Sequence, residues 1–273
     1  VKVLFLTDMH GLKCKDDLVE QIVDEERADV VVLGGDNIDC AEISPFGTKS
    51  SYISLDDELQ WAVAKIDWLA KNHRHVVVLQ GNHEQWWGKK LRREMATVLQ
   101  GGAIDDICKL YARGYVIEEK KRGAERVREI VKKCDWKNVK YYPGPSAHMC
   151  RIGDVIYAHG HQSRSIIPGR SHEFFTKRFI LPRFPGVRLV LLGHLHRSNT
   201  VHDGEYTTME VGCLCNPSAY ETQRAYGPMR LGYAVVEYDG PRHNLSKSKN
   251  VQLGWATALE PADETDILEE GGE

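Results

Sequence analysis

Five short apolar runs recur along the chain, and polar residues close each of them. Val3-Leu4-Phe5-Leu6 runs into Thr7-Asp8-Met9-His10-Gly11, and Val30-Val31-Val32-Leu33 into Gly34-Gly35-Asp36-Asn37-Ile38-Asp39. Val76-Val77-Val78-Leu79 runs into Gln80-Gly81-Asn82-His83-Glu84, and Val155-Ile156-Tyr157-Ala158 into His159-Gly160-His161. The fifth, Leu189-Val190-Leu191-Leu192, ends in Gly193-His194-Leu195-His196. Uninterrupted runs of this length predict strands buried on both faces. Between the first three runs the apolar spacing becomes helical. Leu18, Ile22 and Val23 mark one helix over 16–26, and Leu59, Ala62, Val63, Ile66 and Leu69 mark a second. Ser54-Leu55-Asp56-Asp57 reads as the start of the second, with acids in its first turn. A third is expected from residue 85 to about 100, with Trp86, Trp87, Leu91 and Met95 on its apolar face. Strands alternating with helices predict an α/β fold with a parallel core.

Residues 101–134 break the rhythm. Ile104, Ile107 and Tyr111, then Val127, Ile130 and Val131, predict a helical insertion of one or two helices, broken near Gly114 or Gly123. Its polar face carries Lys120, Lys121, Arg122, Arg126, Arg128, Lys132 and Lys133 among Glu118, Glu119, Glu125 and Glu129. The interspersed acids favour a solvated face of Glu–Lys pairs over a surface for polyanions. Beyond Cys134 the pattern turns β-rich, with strands expected over 139–142, 147–152, 155–158, 189–192, 207–213 and 231–238, and Gly153-Asp154 as a hairpin turn. The long connection over 162–185 leaves a polar strand end and carries Arg164, Arg170, Lys177, Arg178 and Arg183, which makes it a candidate substrate loop.

Composition narrows the class. With 273 residues, 42% hydrophobic and 27% charged, the chain can bury a large core as one domain. No apolar run is long enough to cross a bilayer, and no charged-then-apolar leader precedes the first run. Seven scattered cysteines, an odd number, suit reduced thiols, so the expected location is cytoplasmic. Cys213-Leu214-Cys215 is the only close pair, read as core residues rather than metal ligands. The formal charge of −3 is uneven, because residues 260–273 hold seven acids and no Lys or Arg. The expected organisation is a domain over 1–258 with its insertion at about 101–134, then an acidic tail over 259–273.

Burying an amide, imidazoles and carboxylates at strand ends is costly unless each has a strong partner. In sheets covered by helices, ligands collect beyond the carboxyl ends of the strands. Asp8, His10, Asp36, Asn82, His159, His194 and His196 offer oxygen and nitrogen donors without a thiolate, which suits Mn²⁺, Fe or Zn²⁺. Seven donors are too many for one ion and fit two sharing a carboxylate. Such pairs clamp both oxygens of a phosphoryl displacement and acidify a shared water into a hydroxide nucleophile. No nucleophile-elbow sequence competes with that reading. His73, His75, His148, His172, His202 and His243 lie outside the pattern and read as surface or hydrogen-bonded core histidines. Trp86 and Trp87 read as packing at a helix start rather than as a base-stacking platform.

Asp8-Met9-His10, Gly35-Asp36, Gly81-Asn82-His83-Glu84, His159 and Gly193-His194-Leu195-His196 together resemble, in order, the motif set of the calcineurin-like metallophosphoesterases. The resemblance implies an αββα sandwich of two mixed β-sheets flanked by helices. It implies Asp8, His10 and His196 on one metal, Asn82, His159 and His194 on the other, and Asp36 bridging. His83 would be no ligand but would protonate the leaving oxygen. Gly35-Asp36-Asn37-Ile38-Asp39 matches the spacing with which the protein-phosphatase branch orients that histidine, so Asp39 is expected to pair with His83. That branch continues with an Arg that grips phosphate, where this chain has Cys40-Ala41. The double-histidine endings also look more like the phosphodiesterase and nuclease branches. The expected activity is therefore phosphodiester hydrolysis, on a nucleic acid or nucleotide, with a phosphomonoesterase as the alternative. The expected cofactors are two divalent ions, Mn²⁺ first and Fe or Zn²⁺ next. His161, Arg164, Arg170 and Arg178 are the expected substrate contacts, and the sequence leaves the oligomeric state open. An inactive scaffold would be expected to have lost donors, and here every position is filled.

Overall fold

The computed structural model describes residues 1–44, 53–87, 106–122, 125–142, 147–162, 170–217 and 229–255. In chain order the strands are β1 (Lys2–Leu6), β2 (Val30–Leu33), β3 (His75–Val78), β4 (Tyr115–Arg122), β5 (Glu125–Lys132), β6 (Val139–Tyr141) and β7 (Met149–Ile152). There follow β8 (Val155–Ala158), β9 (Leu189–Leu192), β10 (Asn199–His202), β11 (Thr207–Glu210), β12 (Arg230–Asp239), β13 (Arg242–His243) and β14 (Lys249–Trp255). The helices are α1 (Asp16–Glu26), α2 (Leu55–Asn72), α3 over 82–87, α4 (Ile107–Tyr111) and α5 (Arg170–Phe175), the last continuing into one π-helical stretch, Thr176–Ile180.

Two mixed sheets form. One has seven strands in the order β13-β12-β1-β2-β3-β6, with β14 on β12, and the other five in the order β10-β11-β9-β8-β7. In the first, β1, β2, β3 and β6 are parallel and β12 is antiparallel to β1. In the second, β8, β9 and β11 are parallel. Strand alternation sorts the side chains into layers. Val3, Phe5, Val32 and Val77 meet Val155, Tyr157, Leu189 and Leu191 between the sheets. Leu4, Leu6, Val31, Leu33, Val76 and Val78 face α1 and α2, against Val19, Ile22, Leu59, Ile66 and Leu69. Ile156, Ala158, Val190 and Leu192 face Phe175 and Ile180 on the far side. Each such buried side chain contributes about 1.5–3 kcal/mol. The layers are therefore helix, sheet, sheet, helix, as expected.

Ser54 caps α2 by accepting from the Asp57 amide, and Gly153-Asp154 turns β7 into β8. The expected helical insertion over 101–134 is corrected. Among the described residues there only α4 is helical, and β4 and β5 pair as an antiparallel hairpin, with Val116 opposite Val131 and Ile117 opposite Ile130. β-Branched residues lose side-chain freedom in a helix and gain cross-strand partners in a hairpin. The charges also pair across strands rather than along a helix, as Lys120 does with Glu129 at 3.2 Å. The hairpin's base, Val116 and Ile117, packs into the core beneath α2. The tail expected over 259–273 lies outside the described residues. Among the described residues, no helix is long and apolar enough to cross a membrane.

Candidate metal centre

The carboxyl ends of β1, β2, β3, β8 and β9 lie together, and their loops are tied across strands. The Asp8 amide donates to Gly35 O at 3.1 Å, the His10 amide to Asp36 O at 2.9 Å, and the Gly193 amide to Ala158 O at 3.2 Å. Asp8, His10, Asp36, His194 and His196 all take left-handed backbone, with φ of 55°, 55°, 48°, 74° and 51°. A side chain in that region costs of order 1–2 kcal/mol, and such strain gathers at functional sites. Glycine is required at two close approaches. A methyl at Gly81 would collide with the Asp36 carboxylate and amide, and one at Gly193 with Thr7 and the Asp8 carboxylate.

Seven predicted donors converge. His10 Nε2 and His196 Nε2 are 3.2 Å apart, and His196 Nε2 is 3.2 Å from Asp8 Oδ1. His159 Nε2 is 3.2 Å from Asp36 Oδ2 and 3.0 Å from Asn82 Oδ1. Donor atoms of Asp36, His159 and His194 lie within 4.8 Å of one another, as do those of His10, Asp36 and His83. Asp36 belongs to both groups. Two imidazole nitrogens on one ion at about 2.0–2.1 Å and a near-tetrahedral angle stand about 3.4 Å apart, close to the His10–His196 separation. The donor chemistry of these clusters fits divalent cations.

The charges are arranged to match. Burial pushes the Asp8 carboxyl up, but His196 and His159 outweigh it and hold it at about 2. Asp36 is likewise held well below the usual range, burial being outweighed by His159, His83 and His10. His194 is pushed down to about 3 by burial and by neighbouring His159, and so stays neutral, the form that coordinates a metal.

Asp39 does more than expected. Its carboxylate sits 3.0 Å from His10 Nδ1 and 3.4 Å from His83 Nδ1, while its backbone carbonyl accepts from His83 Nδ1 at 2.7 Å. It therefore reaches a metal-donor histidine as well as His83. The His83 ring lies against Trp86, centroids 3.9 Å apart and planes tilted by 33°, so Trp86 packs as expected and limits the ring's movement. His83 Nε2 remains 3.7 Å from Asp36 Oδ2. Burial opposes its protonation, but Asp36 and Asp39 win and push it up to about 9.

Several supporting residues escaped the sequence reading. Glu84 is fully buried and is no donor to the cluster; it accepts from the amides of Gly81 (2.8 Å), Asn37 (2.8 Å), Asp36 (3.2 Å) and Ile38 (3.4 Å) and from Tyr111 Oη (3.0 Å). It locks the 34–39 and 81–84 loops together, each charge-assisted bond being worth about 1.5–3 kcal/mol. Lys13 Nζ binds Asp39 Oδ2 at 2.6 Å, Glu58 accepts the Asp39 amide at 3.0 Å, and Thr7 donates to Asp8 at 2.6 Å. His148 stands 5.5 Å from His161, ring to ring, and burial followed by the charge of His159 lowers it to about 4. The adjacent Glu in Gly81-Asn82-His83-Glu84 was a visible signal; Lys13, Glu58 and His148 had none.

His161 lines the rim, 5.6 Å from the His159 ring and 6.3 Å from His194. Arg164 lies outside the described residues, as does the side chain of Arg170. Arg178 is exposed over the Phe174 ring at 5.4 Å, and Lys177 binds Glu173 and Asp203. Phe174, Glu173 and Asp203 are not among the predicted metal donors. His73 and His202 hydrogen-bond Ala28 O and Thr207, as ordinary histidines do, and the His243 ring lies 3.0 Å from the Asp154 carboxylate.

The architecture is an αββα sandwich with candidate oxygen and nitrogen metal donors at five strand ends. The chain belongs to the calcineurin-like phosphoesterase family, whose model matches residues 1–198. No curated protein matches it. Among solved structures it is similar to wild-type Vps29 complexed with zinc from Entamoeba histolytica, at 13% identity over 92% of this chain and 99% of that one, TM-score 0.41. It is also similar to Yfce, a phosphoesterase from E. coli, at 14% identity over 88% and 90%, TM-score 0.38. A predicted phosphoesterase from Streptococcus pneumoniae aligns at 14% identity over 92% and 97%, TM-score 0.34.

Proposed function

We propose that this chain hydrolyses phosphodiesters with two divalent cations, Mn²⁺ in the first instance and Fe or Zn²⁺ otherwise. Asp8, His10 and His196 hold one ion, Asn82, His159 and His194 the other, and Asp36 serves both. Bound there, the pair supplies charge neutralisation at the phosphoryl oxygens and a water acidic enough to attack near neutral pH. The chain supplies the rest. Asp39 aims the His10 ring through Nδ1, and Glu84 fixes the loops that carry Asp36 and Asn82. His83 donates a hydrogen bond from Nδ1 to the Asp39 carbonyl, which leaves its Nε2 proton as the one for the leaving oxygen. The observation that carries the reading is the buried Asp36 carboxylate, which groups both with His159 and His194 and with His10.

Diester preference follows from what stands where a phosphate-gripping Arg would be. Cys40 is fully buried there, its thiol kept neutral by burial and by Glu58 and Glu84. A monoester carries about two negative charges near neutral pH and a diester one, so the monoester gains more from an extra cation. One observation favours the alternative, a phosphomonoesterase. Lys13 is partly exposed beside His83's partner Asp39 and could turn to a dianion. The deciding experiment compares bis-p-nitrophenyl phosphate, p-nitrophenyl phosphate and labelled DNA and RNA on metal-reconstituted protein. Higher kcat/KM for the diester supports the proposal. A strong monoester preference with no nucleic-acid cleavage under any metal selects the alternative. If the substrate is a polynucleotide gripped by Arg164, Arg170 and Arg178, binding weakens steeply with salt.

A further inference from the structure

The segment that follows β11 was read from the sequence as plain core. It is buried, but it is also stitched to the loop that carries Asp8 and His10. The Leu214 amide donates to Asp8 O at 3.2 Å, the Lys15 amide to Leu214 O at 2.9 Å, and the Asn216 amide to Lys13 O at 2.9 Å. The last two bonds flank Cys14 and Cys215, which pair as an antiparallel bridge. In that register the paired residues form the close, non-hydrogen-bonded type, with Cα atoms about 4.5 Å apart. Cys215 is thereby fixed beneath His10. Its sulfur and the ring nitrogens of His10 and His196 all lie within 4.8 Å of one another, and all three residues are buried. Neighbouring Cys213 turns its thiol to Arg230 O at 3.5 Å and joins no donor group among the described residues. Cys213, Met229 and Leu231 pack around Cys215.

We propose that Cys215 is an additional ligand, through its thiolate, of the ion held by His10 and His196; this rests on the two-ion reading above. Its thiol proton passes to solvent as the S–metal bond forms, so ion binding there releases one further proton. A thiolate is a soft donor that favours Zn²⁺, Fe or Co²⁺ over Mn²⁺. The two positions then differ in kind. The His10–His196–Cys215 side selects a thiophilic ion, and the Asn82–His159–His194 side, with oxygen and nitrogen only, accepts Mn²⁺. Asp39 supports the difference by holding His10 Nδ1, which leaves Nε2 on the side of Cys215.

The test uses the full chain, stripped with chelator and reloaded with Zn²⁺ or Co²⁺. X-ray absorption should show one sulfur for every two zinc ions, at about 2.3 Å. The cobalt form should show a thiolate charge-transfer band in the near ultraviolet. Cys215→Ser should lose both signals and weaken zinc at one of the two positions by roughly tenfold or more, with a smaller change for Mn²⁺. Cys213→Ser should keep the sulfur. Two bound ions with nitrogen and oxygen neighbours only would overturn the inference and leave the two-ion reading standing. So would unchanged zinc affinity in Cys215→Ser, or loss of the sulfur signal in Cys213→Ser instead. Failure of the wild-type chain to bind any ion would remove both readings. If Cys215→Ser does not fold, the wild-type absorption spectrum decides alone.

Discussion

The two ends of β1 each bury carboxylates, and they treat them in opposite ways. Beyond its amino end, Glu26 at the close of α1 is clamped by Lys2 at 2.6 Å, Lys249 at 2.6 Å and Tyr233 at 2.8 Å. The chain supplies every counter-charge, and those bonds tie α1 to β1, β12 and β14. Beyond the carboxyl end, Asp8 and Asp36 are more deeply buried but face mainly imidazoles, on backbone held in left-handed strain. Glu58, under the same sheet, is met by the backbone amides of Asp39 and Cys40, and burial and the charge of Asp39 push it up to about 8. A carboxylate matched by lysines is structural. Asp8 and Asp36, set among imidazoles instead, are the carboxylates that the proposed function gives to cations.

The sharpest way to break this contrast is Asp36→Asn. Activity should fall to background and both ions should be lost on elemental analysis, while thermal stability without metal is kept. Loss of one ion only would show that Asp36 does not serve both positions. His83→Ala should leave metal content intact and lower kcat by roughly 10²–10⁴. The defect should be smaller with a p-nitrophenolate leaving group than with an alkoxide, and equal defects would remove His83 from proton donation. Asp39→Asn should weaken one ion by about 10–100-fold through His10 and leave the other, as titration of each site by calorimetry would show. Equal weakening of both ions would mean that Asp39 acts through Asp36 instead.

At the far end the effect should be on stability alone. Glu26→Gln should lower stability by about 1–3 kcal/mol, with kcat/KM unchanged. Glu26 is held at about 2 against an ordinary 4.5, its three partners outweighing burial. Its folded value is depressed, so its contribution is complete above about 4.5 and is lost as pH falls towards 2. Thermal melts from pH 6 to pH 2 should therefore converge for wild type and Glu26→Gln at the acid end. A constant gap across that range would mean that the clamp works by packing rather than charge.

Some of this was determined by the sequence alone. Apolar runs stopped by Asp, Asn or His placed the seven donors expected from the sequence at strand ends, because ligands of a parallel core collect there whatever the loops do. Helix α2 was legible because Ser54 caps it and its apolar spacing is unbroken. β14 was overlooked although Val251, Leu253 and Trp255 alternate and the turn residues Asn244, Ser246 and Ser248 precede it. The β4–β5 hairpin was misread because Val127, Ile130 and Val131 fit helical spacing as well as a strand, and only pairing with Val116 and Ile117 separates the two. Tertiary structure alone decided that Asp39 serves His10 as well as His83, that Glu84 binds loop amides, and that Cys215 lies beside His10 and His196. Each of these depends on which residues far apart in the chain come within a few ångströms, and local pattern carries no record of that distance.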